Sequence, residues 1–201
     1  MTKGSFADLA ALVASRPPRL GAVRLVAVDG PSGAGKTSFA DRLAKELDAP
    51  VVHTDDLLNG WDDQFTFWNR LEGRVLEPLR RGRSATYERY LWHRKAFGGK
   101  PVTVEPAPVV LLEGASSARR VIRPELSLAI FVLAPPDLCL ARALAREGGD
   151  DVAFRAYLER WRTAEDRHFA EEQTAASADL VVDGSAEVPD EQYAWIRRPP
   201  E

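Results

Sequence analysis

The chain has 201 residues, 45% of them hydrophobic and 28% charged, and 27 Lys and Arg stand against 30 Asp and Glu for a net charge of −3. This length supports one domain with a substantial core, and no Pro/Gly/Ser-rich stretch divides it, so a single domain over residues 1–201 is expected. No block of like charge supplies an electrostatic footprint for nucleic acid or an anionic membrane, which leaves a small molecule as the expected partner.

The single cysteine, Cys139, lies in an apolar helical stretch and has no intrachain partner for a disulfide, which suits a packing role in a reducing compartment. No basic segment followed by an apolar signal region opens the chain, and no apolar run approaches the ~18 residues that span a bilayer. A cytoplasmic protein without membrane association is expected, and a homo-oligomer is left open.

In chain order, Phe6, Leu9, Ala10, Leu12 and Val13 predict an N-terminal helix within residues 1–20, ended by Pro17 and Pro18. Val23, Leu25, Val26, Ala27 and Val28 form a short β-branched run, read as a buried parallel strand. Directly after it, Gly30-Pro31-Ser32-Gly33-Ala34-Gly35-Lys36-Thr37 completes the pattern G-x-x-x-x-G-K-[ST]. Ser38 follows, and Phe39, Ala40, Leu43, Ala44 and Leu47 recur at helical spacing. A glycine-rich turn between strand and helix lets successive N–H groups curl around a phosphate. Lys36 then reaches the β and γ oxygens, and the Thr37 hydroxyl is placed to hold Mg²⁺. The chain is therefore expected to bind ATP with Mg²⁺.

Val51 and Val52 predict a second strand ending at His53-Thr54-Asp55-Asp56, with carboxylates at the edge where open α/β sheets bind ligands. Gln64 to Leu79 reads as a helix closed by Arg81-Gly82-Arg83. Residues 86–106 break the rhythm with Tyr87, Tyr90, Trp92, His93, Gly98-Gly99 and Val102-Thr103-Val104, and are read as an inserted loop or small hairpin. Val109 to Leu112 is a buried strand closed by Glu113-Gly114, and Leu128 to Leu133 is another. Pro135-Pro136 opens a helix to about Arg146. A long helix from about Val152 to Thr174, a strand from Asp179 to Val182 and a tail over 185–201 with Pro189, Pro199 and Pro200 complete the chain. Five strands alternating with helices indicate an α/β fold with a doubly wound parallel sheet.

Phosphoryl transfer needs a carboxylate to orient or deprotonate the nucleophile, a metal across the β and γ oxygens, and cations on the transferred group. Asp55 and Asp56 supply the carboxylates, with Asp55 preferred as the base and Asp56 assigned to the substrate. Thr37 and Glu113, with Asp55, supply the metal side. Lys36 supplies a cation, and Arg142 and Arg146, four apart on one helix face, either contact ATP phosphates or pair with Glu147 and Asp150. Asp29 is either a turn residue or a partner for substrate or lysine. Arg160 and Arg162 flank Trp161, so one of them at most faces the site. Trp61, Phe65, Phe67, Trp68, Tyr90 and Trp92 are either core or the flat walls of a substrate pocket, with Trp68, Tyr90 and Trp92 the substrate candidates. His93 is assigned to substrate contact rather than to acid–base work.

In this order the motifs resemble the uridine kinase-like family of P-loop kinases, which includes phosphoribulokinase and pantothenate kinase relatives. The resemblance runs from about Val26 to Gly184. It rests on Asp29 to Thr37, Asp55-Asp56, Tyr90-Leu91-Trp92-His93, Leu112-Glu113-Gly114, Leu140 to Glu147, Tyr157 with His168-Phe169, and Ala178 to Gly184. It implies the three-layer sandwich of nucleoside and nucleotide kinases, and a lid over 135–151, shortened at Glu147-Gly148-Gly149-Asp150-Asp151. It also implies transfer of the ATP γ-phosphoryl to the 5′-hydroxyl of uridine or cytidine, with Asp55 in the place of the catalytic aspartate. Two alternatives stay open. Leu57-Leu58 and Leu91 suit a non-nucleoside alcohol such as a sugar, a vitamin precursor or an antibiotic, and a nucleotide-dependent switch would use the same phosphate loop without an acceptor.

Overall fold

The computed structural model describes residues 2–146 and 152–197. The elements run β1 (Thr2–Ser5), α1 (Phe6–Ser15), β2 (Arg24–Asp29), α2 (Lys36–Leu47), β3 (Val51–His53), α3 (Trp68–Leu71), α4 (Glu77–Arg80), β4 (Ala85–Leu91) and β5 (Ala96–Val104). They continue with β6 (Val109–Glu113), β7 (Leu126–Leu133), α5 (Pro136–Arg146), α6 (Val152–Glu172), α7 (Thr174–Ser177), β8 (Leu180–Asp183) and β9 (Gln192–Arg197).

The main sheet has the order β1-β9-β8-β7-β2-β6-β3. Its five strands from β8 to β3 are parallel, as the βα alternation requires. Most of their residues are buried, on both faces of the sheet. Along β2, Leu25 and Ala27 join the cluster containing Val52, Phe67, Leu71, Leu79 and Leu112, while Val26 and Val28 join Phe39, Leu43, Leu111, Ile130 and Val182 on the other side. This is the three-layer α/β architecture.

Three features depart from the sequence expectations. The sheet has seven strands, not about five, because β1 and β9 add antiparallel to its β8 edge. Thr-Lys-Gly-Ser carries no apolar alternation, so only pairing with residues 192–195 makes β1 a strand. The tail accordingly contains an ordered strand, and the N-terminal segment is a strand followed by α1. The helix expected over Gln64 to Leu79 starts at Trp68 and passes through a π turn at Glu72–Leu76. Pro78, near the start of α4, has no N–H for the carbonyl four residues back, and the wider turn accommodates that break.

The inserted segment is an antiparallel hairpin, β4 with β5, outside the main sheet. It packs on the turn after β3 and on the π turn. Within the segment read as a lid, α5 runs to Arg146, while Glu147 to Asp151 lie outside the described residues, as do Pro199 and Pro200. Among the described residues no helix is long and apolar enough to cross a membrane.

Candidate active site

The phosphate loop lies between β2 and α2, and buried contacts fix its shape. Asp29, with no exposed surface, accepts hydrogen bonds from the N–H groups of Gly30 (2.8 Å), Ser116 (3.0 Å) and Ala118 (2.9 Å). Burial pushes its carboxyl up to about 6, against the pull of these three N–H groups and of the Lys36 charge. Asp29 thus ties the base of the loop to the segment after β6. Gly33 has φ +82, and a Cβ there would lie 2.2 Å from the Cys139 carbonyl oxygen, so glycine alone lets α5 approach this closely. Cys139 is a buried packing residue at that contact. Ala34 N–H donates to Pro31 O at 3.1 Å, and Lys36 Nζ donates to the same carbonyl at 3.0 Å.

At the other end of the loop, Thr37 Oγ1 donates to Glu113 Oε1 at 3.2 Å, and Glu113 Oε2 lies 2.7 Å from His53 Nδ1. Burial raises the Glu113 carboxyl, but the His53 hydrogen bond, the Lys36 charge and the Thr37 hydroxyl outweigh it, leaving Glu113 below the ordinary carboxylate range. The same hydrogen bond raises His53 against the effect of burial. Glu113 is therefore an ionised acceptor beside a hydroxyl. That donor set fits Mg²⁺, which takes one or two protein oxygens and completes its shell with phosphate and water. Among the described residues no group of three or more His, Cys, Asp or Glu could hold a metal by itself. Gly114 has φ +131, and a Cβ there would lie 2.0 Å from Thr54 Oγ1; this close approach brings β6 against the turn that carries the aspartates.

That turn, Thr54–Leu57, gives Asp55 and Asp56 different neighbours. Asp56 Oδ2 stands 3.2 Å from Arg89 Nε on β4. Asp55 faces a cleft of about 290 Å³ whose other polar sides are Ser32 and Arg146 and whose walls include Trp61, Trp92 and Trp161. Asp55 is open to this cleft but crowded by protein elsewhere. The crowding raises its carboxyl, while the charges of Lys36 and Arg146 pull it down. Trp61 is the centre of the wall, 4.5 Å from Trp92, 4.8 Å from Tyr157 and 5.4 Å from Trp161 between ring centroids.

The remaining candidates divide. Tyr90 is buried behind Trp92, ring to ring at 5.0 Å, and is not among the cleft-lining side chains. His93 is exposed in the hairpin turn. Trp68 packs at the core edge under the Arg119 guanidinium, 4.7 Å from its ring centroid, outside the cleft. The structure therefore brings Trp92 to the cleft and leaves Tyr90, His93 and Trp68 away from it. Arg142 Nη1 donates to the carbonyls of Gly33 (3.3 Å) and Gly184 (3.0 Å) on the opposite flank of the loop. There it borders a second cleft, about 340 Å³, with Gly35, Ser38, Val182, Gly184 and Tyr193. Of the two arginines beside Trp161, Arg160 lies over the Tyr157 ring at 5.6 Å.

Two contributors lie outside the sequence reading. His53 was visible only as the end of a strand. Glu165, on α6, is fully buried against Ser32, whose hydroxyl also takes the Trp161 indole N–H. Tyr157, Trp161 and Glu165 recur every four residues, so an acid on an aromatic face was the available signal.

A family profile described as an AAA domain matches residues 25–171. A uridine kinase from Macrococcus caseolyticus is 25% identical, the match covering 61% of this chain and 68% of that one. A uridine kinase from Escherichia coli is 28% identical over the same shares. Among solved structures, that of a possible uridine kinase from Bacillus stearothermophilus superposes with a TM-score of 0.63 at 19% identity, covering 88% of this chain and 96% of the other. D-glycerate 3-kinase from Cryptococcus neoformans gives 0.55 at 13% identity, covering 91% and 97%. These structural likenesses establish the fold.

Proposed function

Because the chain belongs to the AAA-domain family whose profile spans residues 25–171, with a phosphate loop flanked by two clefts, we propose that it is an ATP-dependent phosphotransferase that acts on an alcohol. One observation carries this reading: Asp55 faces a tryptophan-walled cleft that shares Ser32 with the phosphate loop. A switch protein has no use for such a cleft.

In this reading the base of ATP occupies the cleft bordered by Ser38, Arg142 and Tyr193, and the loop from Gly30 to Thr37 holds the phosphates. The acceptor hydroxyl lies against Asp55. The Asp55 carboxylate takes the hydroxyl proton as the oxygen attacks the γ-phosphorus; an O–P bond forms, the bond to the β–γ bridging oxygen breaks, and ADP leaves. Lys36 and Arg146 offset the charge on the transferred group. Mg²⁺, when bound, neutralises charge on the β and γ oxygens, and Thr37 and Glu113 are the residues that would hold it.

The acceptor best supported is the 5′-hydroxyl of uridine or cytidine. The two sequence relatives described above are named uridine kinases, and the tryptophan walls suit a planar base. A non-nucleoside alcohol is the second reading, favoured by one observation: among the described residues lining the cleft none is Asn or Gln, and Leu58 and Leu158 line it instead. The deciding experiment is ADP release from ATP-Mg²⁺ with uridine, cytidine, sugars and other alcohols in turn. Release that never exceeds the acceptor-free rate removes the proposal.

A further inference from the structure

The long helix α6 meets the phosphate loop through one buried acid. Glu165 has no exposed surface. Its Oε1 accepts from Ser32 Oγ at 2.7 Å and from the Ser32 N–H at 3.1 Å, and its Oε2 lies 3.2 Å from the same nitrogen. The Trp161 indole fixes the polarity of the set. An indole N–H can only donate, so Ser32 Oγ accepts from Trp161 Nε1 at 3.0 Å. The serine proton then goes to Glu165 Oε1, and the Ser32 N–H is shared between the two carboxyl oxygens. A buried carboxylate is costly unless hydrogen-bonded, and this one finds its partners on a residue 133 positions away in the phosphate loop.

Ser32 belongs to the phosphate loop and borders the acceptor cleft, and Trp161 is a wall of that cleft. The three side chains therefore join the two halves of the site. The Lys36 and Thr37 end of the loop has separate partners in Pro31 O and Glu113. We propose that Glu165 is a positioning residue that holds the Trp161 wall in register with the phosphate loop, so that an acceptor meets the triphosphate in one geometry. The inference rests on the phosphotransferase reading of this cleft. Its consequence is asymmetric: loss of Glu165 spares ATP binding and damages use of the acceptor.

The test compares the full chain with Glu165→Ala, Glu165→Gln and Trp161→Phe. The first readout is the Trp161 indole N–H resonance, identified by its absence in Trp161→Phe and titrated with ATP-Mg²⁺. The second is turnover with uridine. ATP-Mg²⁺ is expected to shift the resonance in the natural chain and not in Glu165→Ala, with ATP affinity kept within about threefold. Uridine KM rises about fivefold or more and kcat falls about tenfold in Glu165→Ala. Glu165→Gln keeps one oxygen for the serine proton and recovers most of both. Adding Trp161→Phe to Glu165→Ala gives no further rise in KM, because members of one coupled set are not additive. If Glu165→Ala does not fold, Glu165→Met, of similar length and without an acceptor oxygen, carries the same comparison.

The proposal is overturned if ATP-Mg²⁺ leaves the indole resonance unmoved in the natural chain. It is equally overturned if the variants lose only melting temperature, or lose ATP affinity as much as uridine affinity. A natural chain that phosphorylates no uridine but shows the Glu165-dependent shift removes the uridine reading and supports the coupling, so the two fail separately.

Discussion

The Asp56 carboxylate stands 3.2 Å from the Arg89 guanidinium, and this contact gives two adjacent aspartates different surroundings. Asp56 ties the hairpin to the turn after β3, which leaves Asp55 facing the cleft. Asp55→Asn should lower kcat by about 10²- to 10⁴-fold, the range for losing a general base, with little change in ATP affinity. Asp56→Asn should chiefly loosen the hairpin. Steady-state kinetics of both variants decide the matter, and a larger fall in kcat for Asp56→Asn reverses the assignment.

Lys36 Nζ makes its hydrogen bond to Pro31 O within its own loop. Lys36→Met should therefore abolish ADP formation in a chain that still folds; Pro31 O still accepts from Ala34 N–H, and the melting temperature falls only as far as the Asp29 and Glu113 carboxylates miss a neighbouring cation. Calorimetry beside an ADP assay checks both halves. Undiminished ADP formation would sink the role given to the phosphate loop.

Trp92 lines the cleft and Tyr90 stands behind it, so the two should behave differently when truncated. Trp92→Ala should raise the acceptor KM by the equivalent of ~1–3 kcal/mol, the scale of stacking a base on an aromatic ring, with ATP KM unchanged. Tyr90→Ala should lower the melting temperature first, because it opens a hole among Trp92, Phe97 and Gly60. Equal effects of both on acceptor KM would contradict the geometry.

His168 is buried, stacked on Phe65 at 4.3 Å, and its Nε2 has no protein partner. Burial lowers its pKa to about 4, with the Arg119 charge acting in the same direction. A base whose folded pKa is depressed gives stability that is present above its unfolded pKa and is lost as pH falls through the folded value. Here the window runs from 6.5 down to about 4 and is worth on the order of 3 kcal/mol. Over the same range the raised Asp29 carboxyl contributes in the opposite direction, so the His168 loss is read as the difference between the natural chain and a variant that cannot take the proton, in urea unfolding at pH 7.5 and at pH 4. His168→Phe, which keeps a ring against Phe65 and cannot take a proton, should lose less; identical pH profiles would exclude the mechanism.

The phosphate loop and the parallel strands were legible because their information is local. Eight consecutive residues from Gly30 to Thr37 specify a turn that needs glycine and a helix start, and runs such as Val109 to Leu112 declare burial on both faces. The strand-end positions of Asp55 and Glu113 followed from the same reading. What the chain order did not contain was the choice of partners. β1 has no apolar alternation and exists through β9; His53 meets Glu113 across 60 positions and Glu165 meets Ser32 across 133. Local pattern sets backbone conformation and which face is buried, because both depend on neighbouring residues. Which carboxylate faces the cleft, which tryptophan walls it and which acid holds the loop depend on distant elements brought within hydrogen-bond reach, and only the tertiary structure decides them.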